Sequence, residues 1–233
     1  MPLTLLAFTA GYSQMNFGAK TIYREERDYK DFYFGISLGY VNATLHPSRT
    51  TYFLASDSIL VAEPKSSPGY SVRLMANARI SDRFEARFNP GLILGVTRQF
   101  TYTLGSKQAY ENQQEVQSVQ SNIATFPVSI KFNSDRIQNF KVYMLAGMYY
   151  NYDLASNANS RNADELLKLT RGDYGAEVGL GFNFFLPFVT VTPEIKFSKG
   201  FANVHSRDES FKYSSVLDKL QGRMICFTLH LEE

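Results

Sequence analysis

The chain has 233 residues, with 24 Lys plus Arg against 22 Asp plus Glu and a net charge of +2. This balance gives no electrostatic support for binding nucleic acid or a polyacidic substrate, and nothing in the sequence separates two domains. The 15 Tyr and 19 Phe, with no Trp, favour strands and membrane interfaces. The single cysteine, Cys226, excludes an intramolecular disulfide, and no run of about 18 apolar residues predicts a transmembrane helix.

The N-terminal region predicts export. Residues 1–14 are an apolar stretch that ends in small and polar residues, which resembles the end of a secretory signal peptide. The basic segment that opens such peptides is missing, which indicates a truncated signal peptide or a start codon assigned too late. A buried N-terminal strand is the alternative. Residues 15–30 are charged and do not alternate, which predicts a mobile periplasmic tail before a barrel domain over residues 31–233.

Alternation of apolar and polar side chains is the strongest signal in the sequence, and Phe84–Val96 shows it best. Residues at even separations lie on the same face of a strand, so this segment predicts one apolar and one polar face. The apolar set is Phe84, Ala86, Phe88, Leu92, Leu94 and Val96, and the opposite set is Glu85, Arg87, Asn89, Gly91 and Thr97.

Seven further segments carry the same period, which makes about eight strands. Strands of soluble domains average about 5 or 6 residues, whereas a tilted strand needs about 9 to 11 residues to cross the hydrocarbon layer. The predicted lengths fit the membrane case. The seven segments are Phe32–Tyr40, Tyr70–Ile80, Ile123–Phe132, Phe140–Asp153, Tyr174–Phe184, Val189–Phe197 and Met224–Leu231.

The connections alternate in length. Bacterial outer-membrane barrels alternate short periplasmic turns with long outer loops. The sequence therefore predicts an all-β, eight-stranded antiparallel transmembrane β-barrel, integral to the outer membrane, with both termini in the periplasm. The short links are at 81–83, 133–139 and 186–187, and the long links are at 47–68, 103–122, 154–173 and 200–222.

The order of these segments resembles the PorT family of Bacteroidota, outer-membrane barrels associated with the type IX secretion system. The chain departs from the family in its first strand, where the family usually has His before Phe-Gly and this chain has Tyr33. The resemblance is carried by SPGY at Ser67–Tyr70, FPVSIKF at Phe126–Phe132, YDLASNA at Tyr152–Ala158, LKLTRGDYGAEVGLGFNFF at Leu167–Phe185, PEIKFSKGF at Pro193–Phe201 and LDKL at Leu217–Leu220.

The resemblance implies a non-enzymatic component needed for secretion or maturation of cargo with a C-terminal sorting domain, such as proteases and gliding adhesins. It implies other type IX secretion subunits as partners, and outer-membrane lipid and lipopolysaccharide as surroundings. Two alternatives stay open: a general small barrel for adhesion or membrane integrity, and an outer-membrane hydrolase.

Charged residues of both signs fall on the inward faces of the predicted strands. Because the interior of an eight-stranded barrel is just wide enough to be filled by side chains, we expect these residues to pair as a polar network and not to line a channel. The set is Arg73, Glu85, Arg87, Lys131, Glu177, Glu194 and Lys196.

No residue pattern indicates catalysis, a metal, a cofactor or a small-molecule substrate. The histidines His46, His205 and His230 show neither the spacing of a hydrolase triad nor that of a metal site. Four residues of the third long loop, Asp153, Ser156, Asn157 and Asn159, are candidates for docking a partner protein, and turn formation is the alternative. Tyr149, Tyr150, Tyr152 and Tyr174 are predicted to form part of an interfacial belt.

Overall fold

The computed structural model describes residues 21–49, 59–104, 114–154, 170–203 and 217–233. One antiparallel sheet takes up most of them, and a short 3-10 helix, η1 (Glu25–Asp28), precedes it. None of the described residues forms a helix long and apolar enough to cross a membrane. The strands are β1 (Phe32–Arg49), β2 (Ile59–Lys65), β3 (Ser67–Arg79), β4 (Phe84–Phe88), β5 (Gly91–Leu104), β6 (Gln114–Asn133), β7 (Phe140–Asp153), β8 (Gly172–Phe185), β9 (Thr190–Gly200) and β10 (Leu217–Glu232).

The sheet closes into a barrel because β1 pairs with both β10 and β3. Tyr40, for example, lies opposite Phe227 on one side and Tyr70 on the other. Segment β2 leads into β3, and β4 leads into β5, so the ten segments make eight barrel strands. The predicted fold class is confirmed. Closure pairs the barrel part of β1 on both sides, so the backbone groups there have partners.

Several strands extend into the predicted long loops. Strand β1 runs to Arg49, β6 begins at Gln114 and β10 begins at Leu217, whereas those residues were expected in connections. Strand β5 shows why such extensions form. Its residues beyond Val96 include Thr101, Tyr102 and Thr103, which favour extended backbone and pair with β6. Alternation of apolar residues marks only the part of a strand that faces an apolar medium, so the outer extensions were missed.

The predicted strand Phe84–Val96 is interrupted and then shifts its phase. Pro90, which has no N–H to donate, separates β4 from β5. Gly95 has a φ of 76°, and the pairing with β6 shifts register between Ile93 and Val96. A bulge of this kind adds one residue and so reverses which face later side chains occupy. Val96 is therefore 0% exposed inside the barrel, and its expected position on the outer face was wrong.

The outer wall of the barrel is apolar. Two ends can be told apart: the turn end carries the turns at 80–83, 134–139 and 186–189, and the opposite loop end leads into 50–58, 105–113, 155–169 and 204–216. Exposed phenylalanines ring the wall near the turn end and exposed tyrosines near the loop end. The phenylalanines are Phe32, Phe84, Phe132 and Phe184, and the tyrosines are Tyr40, Tyr70, Tyr150 and Tyr174.

The interior has two layers. Towards the loop end, an apolar cluster fills the barrel, and it includes Tyr149, which points inward and not into the predicted belt. Tyr150 and Tyr174 do face outward, and Tyr152 is half-buried. Towards the turn end, the interior is filled by charged and hydroxyl side chains. The apolar cluster comprises Val41, Ala43, Ile93, Val96, Ile123, Tyr149, Met224 and Cys226.

Candidate functional site

Arg87 is the centre of the charged layer. Its Nη1 lies 2.7 Å from the Oε2 of Glu194 and its Nη2 lies 3.4 Å from the Oε1 of Glu232. Its Nε donates to the Oδ1 of Asn77 at 2.8 Å, and the hydroxyl of Tyr143 donates to Glu194 at 2.5 Å. Arg87 comes from β4, Glu194 from β9 and Glu232 from β10. One guanidinium thus joins opposite sides of the barrel across its axis.

A second charged pair lies beside the first. The Nζ of Lys131 is 2.9 Å from the Oε2 of Glu85, and the hydroxyl of Tyr33 donates to the same carboxylate oxygen at 2.5 Å. Lys131 is 0% exposed, and its Nζ lies 4.2 Å from the ring centroid of Tyr143. Buried charges are tolerated when they are paired and hydrogen-bonded in this way.

The described part of the N-terminal tail docks at the turn end of the barrel. Helix η1 places Arg27, which is 6% exposed, against the carboxylate of Glu232 and over the ring of Tyr33. Burial lowers the pKa of the Arg27 guanidinium, but Tyr33 and Glu232 together raise it more, so that the pKa lies above its ordinary value. Arg27 therefore stays charged and joins the charged layer from the turn end of the barrel.

Other contacts hold the same segment. The Nη1 of Arg136 is 2.8 Å from the Oδ2 of Asp28, and the Nη1 of Arg24 donates to the main-chain oxygen of Glu232 at 2.9 Å. Asn139 accepts a hydrogen bond from the main-chain N–H of Tyr23 at 2.8 Å. The expectation of a mobile tail was therefore wrong for residues 21–30. Residues 15–20 lie outside the described ranges.

Replacing Arg27 with Gln is expected to release residues 21–31 without unfolding the barrel, because Glu232 keeps its contact with Arg87. A buried charge-assisted hydrogen bond contributes about 1.5–3 kcal/mol, so amide exchange in this segment should accelerate by about tenfold or more. Hydrogen–deuterium exchange with peptide mass spectrometry measures this. The control is Lys30→Gln, which removes an exposed charge three residues away. Equal exchange in both variants would contradict the docking role of Arg27.

The remaining predicted network residues lie nearer the loop end. The Nζ of Lys196 is 3.1 Å from the Oε2 of Glu177, and both side chains are buried. Arg73 is 3% exposed and donates only to the sulfur of Cys226, at 3.9 Å. The structure thus brings Glu85, Arg87, Lys131 and Glu194 together in one charged layer. Glu177 and Lys196 form a separate ion pair, and Arg73 is in neither group.

The structure also assembles a serine, a histidine and a glutamate from three strands. The Oγ of Ser37 is 2.7 Å from the Nδ1 of His230, and the Nε2 of His230 is 3.4 Å from the Oε2 of Glu194. In hydrolase triads the serine faces Nε2 and the acid faces Nδ1, so the two ring nitrogens are exchanged here. Ser37 and His230 are both 0% exposed. The array is therefore part of the packed interior.

The other candidate residues are placed only in part. Asp153 is 4% exposed and accepts a hydrogen bond from the Oγ of Ser121 at 2.7 Å, so its carboxylate faces the barrel interior. Ser156, Asn157 and Asn159 lie outside the described residues, as does His205. Among the described residues, no group of three or more His, Cys, Asp and Glu side chains is arranged to hold a metal ion.

Sequence reasoning missed five members of the charged layer. Two of them, His230 and Glu232, follow Cys226 and Thr228 at a spacing of two, so extending the alternation to the end of the chain would have placed them inside. Tyr33 and Tyr143 were missed because an inward-facing tyrosine in a sequence cannot be told from an apolar core residue. Arg27 carried no periodic signal, because it lies before the first strand.

A family model described as an outer membrane protein beta-barrel domain matches residues 12–206. The chain belongs to this family. No curated protein sequence matches it. Three solved structures are similar in fold: Neisserial surface protein A, the attachment invasion locus protein Ail of Yersinia pestis in complex with the heparin analogue sucrose octasulfate, and OprG from Pseudomonas aeruginosa.

These likenesses are distant. Neisserial surface protein A has 14% identity over 84% of this chain and 95% of its own, with a TM-score of 0.44. Ail has 11% identity over 88% of this chain and 100% of its own, with a TM-score of 0.41. OprG has 15% identity over 87% of this chain and 94% of its own, with a TM-score of 0.43.

Membership of an outer-membrane barrel family explains why the outer wall is apolar while charged side chains lie inside. In water, exposed apolar side chains over a whole wall would be an aggregation hazard, whereas in a membrane they face lipid. Strand β7 carries Phe140 near one end and Tyr150 near the other, a separation of about 25 Å for a strand tilted by about 40°. That distance matches the height of the apolar band of such barrels, about 25 Å, between two aromatic girdles.

Proposed function

We propose that this barrel is a non-enzymatic component of the type IX protein secretion system, needed for secretion or maturation of sorting-domain cargo such as proteases and gliding adhesins. The observation that carries the non-enzymatic part of the proposal is the filled interior. An apolar cluster of eight residues lies above a charged layer in which Arg87 bridges the barrel axis. A barrel filled in this way acts through its outer surfaces.

The assignment to type IX secretion rests on the family-like segments. LKLTRGDYGAEVGLGFNFF spans Leu167–Phe185 and includes all of β8, which supplies Glu177 to the interior. PEIKFSKGF spans Pro193–Phe201 and supplies Glu194 and Lys196. The resemblance therefore covers residues that build the interior as well as residues that face lipid.

The turn end offers a surface for a partner subunit. With an even number of barrel strands, both chain ends lie at this end, and we place it in the periplasm, as in single-chain barrels with short periplasmic turns. Exposed apolar side chains stand at the turns: Phe188 is 95% exposed and Ile137 is 71% exposed. Apolar side chains in such positions are typical contacts of a protein interface.

Deleting the gene in the source bacterium is expected to abolish release of sorting-domain cargo into the medium, measured by quantitative mass spectrometry of culture supernatants. A plasmid copy of the wild-type gene restores release. A copy carrying Ile137→Asp and Phe188→Asp should restore less, whereas the control Ser81→Asp and Gln138→Asp makes the same charge change at exposed polar turn residues and should restore fully.

Other outcomes separate the alternatives. Normal release of cargo in the deletion strain would overturn the secretion assignment. Normal release together with increased sensitivity to detergents would favour a role in membrane integrity, and altered surface binding would favour adhesion. Equal complementation by the two double variants would overturn the contact at the turn end while leaving the secretion assignment intact.

A further inference from the structure

Two cations break the apolar outer wall of the barrel. Among the strand side chains that the structure describes, Lys199 on β9 and Arg223 on β10 are the charged groups on the outward face. They lie directly opposite each other in the β9–β10 ladder, which brings their Cβ atoms to about 4.5–5.5 Å. Like charges in this arrangement repel each other, so the pair is unfavourable unless an anion neutralises it.

Among the residues that the structure describes, neither cation has a partner that would neutralise it. None of the ion pairs found among the described residues includes Lys199 or Arg223. The Nε of Arg223 is buried and makes no hydrogen bond. Elsewhere in the barrel, buried guanidinium groups such as that of Arg87 meet carboxylates. The two outward cations therefore differ from Arg87, Lys131 and Lys196 in having no acid beside them among the described residues.

The height of the pair on the wall indicates what it contacts. Lys199 lies opposite Ala176, and Phe201, two residues further towards the loop end, donates its N–H to the main-chain oxygen of Tyr174 at 2.8 Å. Arg223 lies opposite Thr44 on its other side, four residues beyond Tyr40. The pair thus lies level with the tyrosine girdle, where lipid headgroups meet the acyl chains.

We infer that Lys199 and Arg223 bind the phosphate of a lipid headgroup at the loop end of the barrel. A guanidinium and an ammonium on neighbouring strands can both donate to one phosphate, and the hydroxyl of Thr44 is the third polar group in the same ladder row. Ala176, on the other side of Lys199, leaves room for the headgroup. Given the orientation in the proposed function, the lipid belongs to the outer leaflet, and the ligand class is a phosphorylated glycolipid.

Native mass spectrometry of the full chain in a non-ionic detergent tests this inference. The probes are lipid A with both phosphates, the same lipid A after enzymatic dephosphorylation, and inorganic phosphate. The variant is Lys199→Gln with Arg223→Gln. The control is Lys30→Gln with Arg83→Gln, which removes the same charge at the turn end, where both residues are exposed. Amide-I infrared spectra of each protein check that the barrel is folded.

The wild-type and control proteins are expected to bind phosphorylated lipid A about tenfold or more tightly than the Lys199/Arg223 variant does, since each 1.4 kcal/mol of binding energy is about tenfold in affinity. Dephosphorylated lipid A should bind all three proteins equally. Equal binding of phosphorylated lipid A by the variant and the wild type would overturn the site. Displacement of the lipid by an equal concentration of inorganic phosphate would also overturn it, because the site would then select a soluble anion.

The titration is made in detergent, so it does not depend on which end of the barrel faces the cell exterior or on the secretion role. Loss of the secretion assignment would leave the binding result unchanged. Labelling of intact cells with a membrane-impermeant lysine reagent tests the orientation separately: Lys30 is exposed at the turn end, and its protection in cells with labelling in lysates supports a periplasmic turn end.

Discussion

Replacing Arg87 with Met is expected to destabilise the barrel by about 3–5 kcal/mol, because removing one partner of a buried ion pair leaves an uncompensated buried charge. Arg87 is 2% exposed and contacts both Glu194 and Glu232. Glu232 keeps Arg27 in the variant, whereas Glu194 keeps the hydroxyl of Tyr143 and the buried ring of His230. The loss should therefore be concentrated on Glu194.

Equilibrium unfolding in urea, with the protein in lipid vesicles, measures this change. The matched control is Arg83→Met, which removes the partner of Asp135 in a pair whose side chains are 57% and 82% exposed. Exposed pairs contribute about 0–1 kcal/mol. If Arg87→Met fails to fold, the double variant Arg87→Met with Glu194→Gln should recover folding, because both charges of that pair are removed. Equal stability of Arg87→Met and Arg83→Met would refute the bridging role.

Replacing Val178 with Arg is expected to destabilise the barrel by about 2–4 kcal/mol, the cost of a cation facing lipid near the bilayer midplane. Val178 is 54% exposed on the outer wall and lies between Tyr174 and Phe184 on β8, which mark the two aromatic girdles. The control is Gln221→Arg on β10, at the level of the loop-end girdle, where such a charge costs about 0–1 kcal/mol.

The same pair of variants distinguishes a membrane barrel from a water-soluble one. On a water-exposed surface, substitutions at a half-exposed position usually change stability by less than about 0.5 kcal/mol. Unfolding in urea from lipid vesicles gives the comparison. A cost for Val178→Arg no larger than that for Gln221→Arg would show that the apolar wall does not face hydrocarbon.

Most of the fold could be predicted from the sequence because alternation is a local property. A strand places residues of one parity on one face whatever its neighbours are, so Phe84 and Phe88 were placed outward and Arg87 inward before any pairing was known. The candidate site was less predictable. Arg87, Glu194 and Glu232 come from strands that are distant in sequence, and their contacts depend on register and barrel shear.

The alternation along the chain was enough to predict an antiparallel barrel with an apolar wall and charged groups inside, because the period of two and the lengths of strands and connections point to it. Three features became visible only in the assembled barrel: which charges meet, that the bulge at Gly95 turns Val96 inward, and that Arg27 enters the turn end to reach Glu232. These features depend on contacts across the barrel, because the position of a side chain there is set by closure of the whole sheet and by no single segment.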